Sequence, residues 1–177
     1  MTDVVATIHP ATPLSRAAAG PLPDEPALEL IELLFFAYRD FVSDPDVLLA
    51  RYGFGRAHHR VLHFVSRNPG LKVADLLTIL KITKQSLGRV LRDLVEQGFI
   101  EASEGVEDRR QRLLSLTPKG AEVTRELTVL QGRRINGALA SMAPGTSETV
   151  RSFLSAMVNP EERADVLELV THSASAR

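Results

Sequence analysis

VADLLTILKITKQSLGRVLRDLVEQGFI, residues 73–100, contains two apolar patterns of helical period separated by a short turn. The first pattern has apolar residues three and four positions apart, at Val73, Leu76, Leu77 and Leu80. The second follows the Lys81-Ile82 turn, and its apolar residues are Leu87, Val90, Leu91 and Leu94. Thr83 is a suitable N-cap for the second helix, and Gly98 is a suitable residue just after its end. Two short helices joined by a tight turn predict a helix-turn-helix.

The residues after this stretch predict a β-hairpin. Residues 99–102 and 113–116 are short apolar-rich runs, and residues 103–112 between them are polar, with Gly105 near the tip. Thr117-Pro118 then places an N-cap before a proline, which is a favoured start of a helix. A hairpin directly after a helix-turn-helix indicates a wing.

Upstream, apolar periodicity predicts two more helices. One covers residues 56–67 and ends at Asn68-Pro69-Gly70. The other runs from Ala27 to about Ser43, and it is expected to stop before Asp44-Pro45 because the residue before a proline disfavours the helical conformation. This first helix is apolar nearly all round, so it needs packing partners on more than one side. A second subunit would supply one of them.

Downstream of Thr117, the apolar pattern predicts a helix of about 25 residues that ends at Ala143-Pro144-Gly145. A final helical region is expected from Ser147 to about Thr171, with a bend at Asn159-Pro160. A helix as long as the first of these is unusual in a small globular domain, which again indicates packing between subunits.

The charges are distributed unevenly, although the chain of 177 residues has a net charge of only −1. Residues 1–50 carry 2 basic and 8 acidic side chains, residues 51–119 carry 13 and 7, and residues 120–177 carry 6 and 7. Positive charge concentrated around the predicted helix-turn-helix favours attraction to phosphate, which indicates double-stranded DNA as a partner. A charged surface that is only solvated is the alternative.

Composition and motifs argue against several other classes of protein. The chain has no cysteine, which excludes disulfides, thiolate zinc sites and thiol redox switches. It has neither a run of roughly 18 apolar residues nor a secretory signal, so a cytoplasmic protein without a membrane partner is expected. It also has no P-loop, dinucleotide fingerprint, nucleophile elbow or metalloprotease motif, so neither an enzyme nor a cofactor is expected.

Two motifs resemble the MarR family of transcriptional regulators. Asp108-Arg109-Arg110, followed by Leu116-Thr117-Pro118-Lys119-Gly120, is similar to that family's wing and to the strand-to-helix step after it. Residues 73–98 are similar to the family's helix-turn-helix, and residues 55–62, GRAHHRVL, resemble its PetP-like branch. The resemblance extends over about residues 28–160.

The resemblance implies a mainly α fold with a small β-hairpin wing, which is a winged helix-turn-helix with a helical dimerisation region. Gly55 and Lys72 depart from the family, since many relatives have a Thr or Ser cap at these positions. The expected domains are a mobile N-terminal arm (1–26), an N-terminal dimerisation helix (27–50), a DNA-binding domain (51–118) and C-terminal dimerisation helices (119–172).

The function implied by the resemblance is that of a repressor that binds a near-palindromic operator as a homodimer and is released by a small ligand. Residue chemistry independently supports DNA binding, because glutamine suits the N6/N7 edge of adenine and arginine suits the O6/N7 edge of guanine. Lys81 and Arg92 are expected to contact phosphate. The predicted DNA-binding residues are Lys81, Thr83, Lys84, Gln85, Ser86, Gly88, Arg89, Arg92, Asp108, Arg109, Arg110 and Arg112.

Asp108 is unusual in a loop that binds phosphate, because phosphate repels a carboxylate. By the resemblance, it holds Arg110 in the shape needed to enter a minor groove, while Arg109 and Arg112 contact the DNA backbone. A charged loop without fixed structure is the alternative.

Histidines and aromatic residues suggest further sites. His59 and His63 are one helical turn apart, a spacing that can hold a metal ion, so a metal- or heme-responsive sensor that uses His58, His59 and His63 is the alternative function. Histidine pairs on helices are, however, more often structural. A small-molecule effector is expected between the DNA module and the helical base, where the predicted lining is Phe41, Tyr52, Phe54, His59 and His63.

Overall fold

The fold is that of a computed structural model, which describes residues 22–105 and 111–175. The elements in these residues are α1 (Glu25–Ala50), α2 (Arg56–Arg67), β1 (Leu71–Lys72), α3 (Val73–Leu80), α4 (Lys84–Glu96), β2 (Ile100–Glu104), β3 (Arg112–Leu116), α5 (Pro118–Ala140), α6 (Thr146–Met157) and α7 (Arg163–Ser175). This order confirms the predicted mainly helical, winged helix-turn-helix fold. No helix in the described ranges is both long and apolar enough to cross a membrane.

The small sheet joins the hairpin to the segment before α3. Its strand order is β1-β3-β2 and it is antiparallel, with Ile100 opposite Leu116 and Leu71 opposite Leu114. Strands β2 and β3 match the predicted hairpin strands within two residues. Strand β1 was not predicted, because two residues are too few for a recognisable alternation.

One hydrophobic core joins the helix-turn-helix, the sheet and the long helices. Helix α2 is central to this core, since it contacts α1, α3, α4, α5 and β3. The fully buried side chains come from all parts of the fold, among them Leu49, Leu62, Leu76, Leu94, Phe99, Leu114 and Leu127. Helix α4 is therefore held in place by its neighbouring helices and by the sheet together.

Helix α1 is longer than predicted, because it continues through Pro45 to Ala50. Pro45 removes one backbone donor from the helix, but its ring is fully buried. Val42, Leu48 and Leu49 are buried as well. Burial of these side chains against the rest of the chain outweighs the cost of a proline inside a helix, which corrects the predicted end of α1.

The C-terminal region forms two separate helices, whereas the sequence predicted one bent helix. Helix α6 ends before Asn159-Pro160, where the interruption was expected, and α7 begins at Arg163. The Arg163 guanidinium donates to the carbonyl oxygens of Ala156 at 2.9 Å and Val158 at 3.0 Å. A cation that binds the last carbonyl groups of a helix stabilises its end. This contact therefore stabilises the end of α6, so the chain forms two helices and not one bent helix.

Helix α4 ends in a Schellman turn built on Gly98. Gly98 has a φ of +72°, a conformation that favours glycine. The Gly98 N–H donates to the Val95 carbonyl at 3.0 Å, and the Phe99 N–H donates to the Leu94 carbonyl at 2.8 Å. This confirms the predicted role of Gly98 just beyond the end of the helix.

Helix α5 starts in close contact with the chain that follows α4. Thr117 is the N-cap predicted from Thr117-Pro118, and its Oγ1 accepts the N–H of Gly120 at 3.1 Å. A Cβ atom at Gly120 would lie 2.0 Å from the carbonyl oxygen of Phe99. Because this oxygen belongs to the backbone, no side-chain rotation can relieve the contact.

We expect Gly120→Ala to lower the free energy of unfolding by about 1–3 kcal/mol, since α5 must move away from Phe99 to admit the methyl group. Gly137→Ala is the matched control, because a Cβ at that position of α5 meets nothing within 4 Å. Alanine there should stabilise the helix by about 0.5–1 kcal/mol. Urea unfolding of both variants measures these changes. A Gly120→Ala protein as stable as the parent would contradict the prediction.

Candidate nucleic-acid interface

Helix α4 presents a polar face to solvent. Its apolar residues Leu87, Val90 and Leu94 are buried in the core, so the opposite side of the helix is turned outward. The exposed residues of that side are Lys84, Gln85, Gly88, Arg89 and Arg92. All five belong to the predicted DNA-binding set, and the structure brings them together on one surface.

The start of α4 is fixed by Thr83, another residue of the predicted set. Its Oγ1 accepts the N–H of Ser86 at 3.0 Å and donates to the Ser86 hydroxyl oxygen at 2.9 Å. Both side chains are half-buried. Thr83 and Ser86 therefore form the helix cap, and they hold the first turn of α4 in position.

Lys81 lies in the turn between α3 and α4 and has a left-handed backbone, with a φ of +51°. Its N–H donates to the Leu77 carbonyl at 2.9 Å and closes the end of α3. Its ammonium group forms an ion pair with Glu162 in the connection between α6 and α7. Because Lys81 is exposed, this ion pair is weak, and a phosphate group can compete with the carboxylate.

The wing is described at its base. Arg112 begins β3 opposite Glu104 and is exposed. The Gly105 N–H donates to the Gln111 carbonyl at 3.0 Å and closes the hairpin. The predicted wing residues Asp108, Arg109 and Arg110 lie outside the described residues.

His58 has a structural role that the sequence analysis missed. Its Nδ1 accepts the N–H of Gly55 at 3.2 Å, and its Nε2 lies 3.2 Å from a carboxylate oxygen of Asp93 in α4. Because Nδ1 acts as an acceptor, Nε2 carries the proton and donates it to Asp93. The ring also stacks on Phe54, with centroids 4.6 Å apart. His58 therefore satisfies the backbone N–H of the N-cap residue of α2, and it links the start of α2 to α4.

The other two histidines of the predicted metal set lie on α2. His59 is buried, and this burial lowers its pKa to about 4. Burial and the nearby Arg67 also lower the pKa of His63. Both imidazoles are therefore neutral at neutral pH. Within the described part of the chain, no three His, Asp or Glu side chains are grouped closely enough to hold a metal ion.

The residues predicted to line an effector site occupy different environments. Tyr52 and Phe54 pack edge-on against the buried Phe99, with ring centroids 5.1 and 5.0 Å from it. Phe41 is half-buried on α1. His63 lines a cleft of about 250 Å³ that α2, α5 and α7 form. The structure therefore brings Tyr52 and Phe54 together in the core, and it places His63 at a separate cleft.

Stability should depend on pH through His59. Its pKa is about 4 in the folded chain, against an ordinary value of 6.5, so the unfolded chain binds the proton more readily between these values. The free energy of unfolding should therefore be highest above pH 6.5 and fall through this group as the pH drops toward 4. Because solvent still reaches the edge of the ring, the expected fall is about 1–2 kcal/mol, less than the full difference between the two pKa values implies.

Urea unfolding across this range tests the expectation, with His59→Gln as the comparison. Other titrating groups contribute equally to both proteins, so the variant should show a flatter pH dependence than the parent. Parallel curves for the two proteins would contradict the assignment to His59.

A helix-turn-helix whose second helix exposes a polar face, followed by an antiparallel hairpin, defines a winged helix-turn-helix protein. A model of the MarR family matches residues 52–111. The HTH-type transcriptional regulator PetP of Rhodobacter capsulatus is 46% identical over 142 residues, which are 80% of this chain and 86% of that protein. The chain belongs to the MarR family. It is a DNA-binding transcriptional regulator, and membership of this family agrees with the expectation that it is not an enzyme.

Solved structures share the fold at low sequence identity. FabT of Streptococcus pneumoniae, in complex with DNA, has a TM-score of 0.65 at 18% identity and matches 74% of this chain and 94% of that one. A MarR mutant from E. coli, complexed with operator DNA, has a TM-score of 0.58 at 20% identity and matches 77% of this chain and 100% of that one. At these identities the likeness supports the fold alone.

Proposed function

We propose that the chain is a cytoplasmic repressor that binds a near-palindromic operator as a homodimer. The observation that carries this proposal is the outer face of α4. Its Gln85, Arg89 and Arg92 side chains are exposed, and in the described residues none of them forms a hydrogen bond or an ion pair. Such donors contact DNA without first breaking an internal bond. The DNA complexes of FabT and MarR support the same use of the fold.

In the proposed complex, α4 lies in a major groove. Arg89 contacts the O6/N7 edge of guanine, and Gln85 contacts the N6/N7 edge of adenine. Gly88 lies between them with open space where a Cβ would be, which lets the backbone approach the bases. Lys81 and Arg92 contact phosphate, and Ser86 contacts a base or a phosphate group. Lys84 adds positive charge at the start of the helix, and Thr83 contributes by holding Ser86 in place.

The wing supplies the second part of the proposed contact. Arg110 enters a minor groove, and Asp108 orients its guanidinium by a charge-assisted hydrogen bond. Arg109 and Arg112 bind the phosphate backbone on either side. Arg112 is exposed at the start of β3, where it is available for this contact.

The homodimer is supported by the apolar surface of α1. The buried residues of α1 all lie at or beyond Val42. The large apolar residues exposed before that point are Leu28, Leu30, Ile31, Leu33, Leu34, Phe35, Phe36 and Tyr38. An apolar patch of this size marks an interaction surface. This surface supports the proposal that residues 27–50, together with residues 119–172, form the dimerisation region, while residues 51–118 bind DNA.

We also propose that a small effector releases the protein from its operator. The cleft of about 250 Å³ lies between α2 of the DNA-binding module and the helical base, and His63 is the residue that it shares with the predicted lining. Its apolar walls include Phe64 and Leu169, and Ser66 and Arg67 provide polar groups at the same cleft. Operator affinity is measured with added metal ions or heme and, separately, with small organic acids. Release by an organic acid supports this effector site, and release by metal ions or heme supports the alternative metal or heme sensor.

Arg89→Ala should cost about 1–3 kcal/mol of binding free energy on the best operator and relax sequence preference at one position per half-site. Arg92→Ala is the matched control on the same face. It should weaken binding to all sequences alike, because a phosphate contact carries no sequence information. Affinities measured on a library of operator sequences distinguish the two. Unchanged sequence preference in Arg89→Ala would contradict the base contact and the proposed placement of α4.

For the wing, we expect Arg110→Ala to weaken binding most at sites with A·T-rich flanks, whose narrow minor groove attracts a guanidinium. Asp108→Ala should also weaken binding, although it removes a negative charge, because the arginine loses its orienting partner. Both affinities are measured on operators that differ only in their flanks. Tighter binding by Asp108→Ala than by the parent would show that simple charge governs the wing.

A further inference from the structure

Residues 117–120, which we call the clamp, bind the chain at the end of α4. Three consecutive carbonyl groups follow this helix, at residues 97–99. Lys119 Nζ donates to the first at 2.8 Å, and Thr117 Oγ1 donates to the second at 2.7 Å. The N–H of Thr117 donates to the third at 3.1 Å. Carbonyl groups that the Schellman turn leaves unpaired are thus satisfied by the start of α5.

The Thr117 hydroxyl group joins two helices through one atom. It donates its only proton to the Gly98 carbonyl after α4, and it accepts the N–H of Gly120 in the first turn of α5. The negative end of one helix dipole therefore meets the positive end of the other at this hydroxyl group. A large rotation of α5 relative to α4 therefore breaks at least one of these two hydrogen bonds.

Lys119 adds charge to the same junction. Its ammonium group lies at the C-terminal end of α4, where a helix dipole favours a cation, and 4.2 Å from the centroid of the Phe99 ring. Lys119 is exposed, so the core does not require its side chain. The contact between Gly120 and the Phe99 carbonyl leaves the junction no free space.

We propose that the clamp makes α4 and α5 one rigid unit, and that Lys119 is a positioning residue that sets the separation of the two α4 helices in the dimer without touching DNA. The inference rests on the proposed function, because α5 belongs to the proposed dimerisation region. Half-sites lie about one helical turn, roughly 10 base pairs, apart. One inserted base pair moves a half-site by about 3.4 Å and rotates it, so a rigid junction penalises wrong spacing.

The first test needs no DNA. The chain has no cysteine, so Glu96→Cys in α4 introduces a single site for a spin label. The distance between labels in the two subunits should be narrowly distributed in the parent. Lys119→Met should broaden that distribution on the order of twofold, and Lys119→Arg should keep it narrow. Arg125→Met, an exposed position of α5 that lines a cleft with α1, is the control and should change nothing.

The second test measures affinity for operators with one base pair inserted or deleted between the half-sites. Lys119→Met should reduce the parent's discrimination between spacings on the order of fivefold, while Lys119→Arg restores it. An equal loss of affinity at every spacing would mean that Lys119 binds phosphate or only supports the fold, and would overturn the proposal. An unbroadened distance distribution in Lys119→Met would overturn it as well.

The two tests separate failure of this inference from failure of the proposed function. If the parent shows no operator binding but Lys119→Met still broadens the distribution of label distances, the proposed DNA contact is wrong and the positioning role of Lys119 is retained. If the operator is bound and spacing discrimination is unchanged in Lys119→Met, the positioning role of Lys119 is wrong and the proposed DNA contact is retained.

Discussion

The burial of Phe99 is the constraint on which the arrangement of the DNA-binding module depends. The side chain is fully buried, and the rings of Tyr52 and Phe54 meet it edge-on. Its N–H closes the Schellman turn of α4, and its carbonyl oxygen accepts the N–H of Thr117 at the start of α5. The ring, the N–H and the carbonyl group of this one residue each contact a different part of the fold. Helix α4, the sheet and α5 can therefore meet in only one way. The polar face of α4 points outward as a consequence.

The sequence predicted the elements whose signals are local. Helix α2 has the predicted bounds, α3 covers the predicted apolar pattern, and the caps at Thr83 and Thr117 are where side-chain chemistry indicated them. The elements that differ are those fixed by contacts between distant parts of the chain. Strand β1 exists because Leu71 pairs with Leu114, and α1 continues past Pro45 because that ring is buried. No local pattern contains this information.

The same distinction applies to the candidate site. The exposed face of α4 was predictable, because it is the complement of an apolar stripe that recurs at helical spacing. The pair of His58 and Asp93 spans 35 positions, and the ion pair of Lys81 with Glu162 spans 81, so neither leaves a periodic signal. One local signal was available: a polar side chain three residues after an N-cap glycine can accept the cap N–H, as His58 does at Gly55.

Helix α1 connects the two proposed roles of the protein. Its second half belongs to the core of the DNA-binding module, since Leu48 and Leu49 are packed in one cluster with Leu127 of α5. Its first half exposes apolar side chains that residues 22–105 and 111–175 leave uncovered. An ion pair of 3.2 Å between Asp44 and Arg134 joins α1 to α5 at the border between these halves. No linker therefore separates the helical base from the module. A change in the packing of the base must reach α4 through the shared core, because close-packed side chains transmit a displacement and do not absorb it.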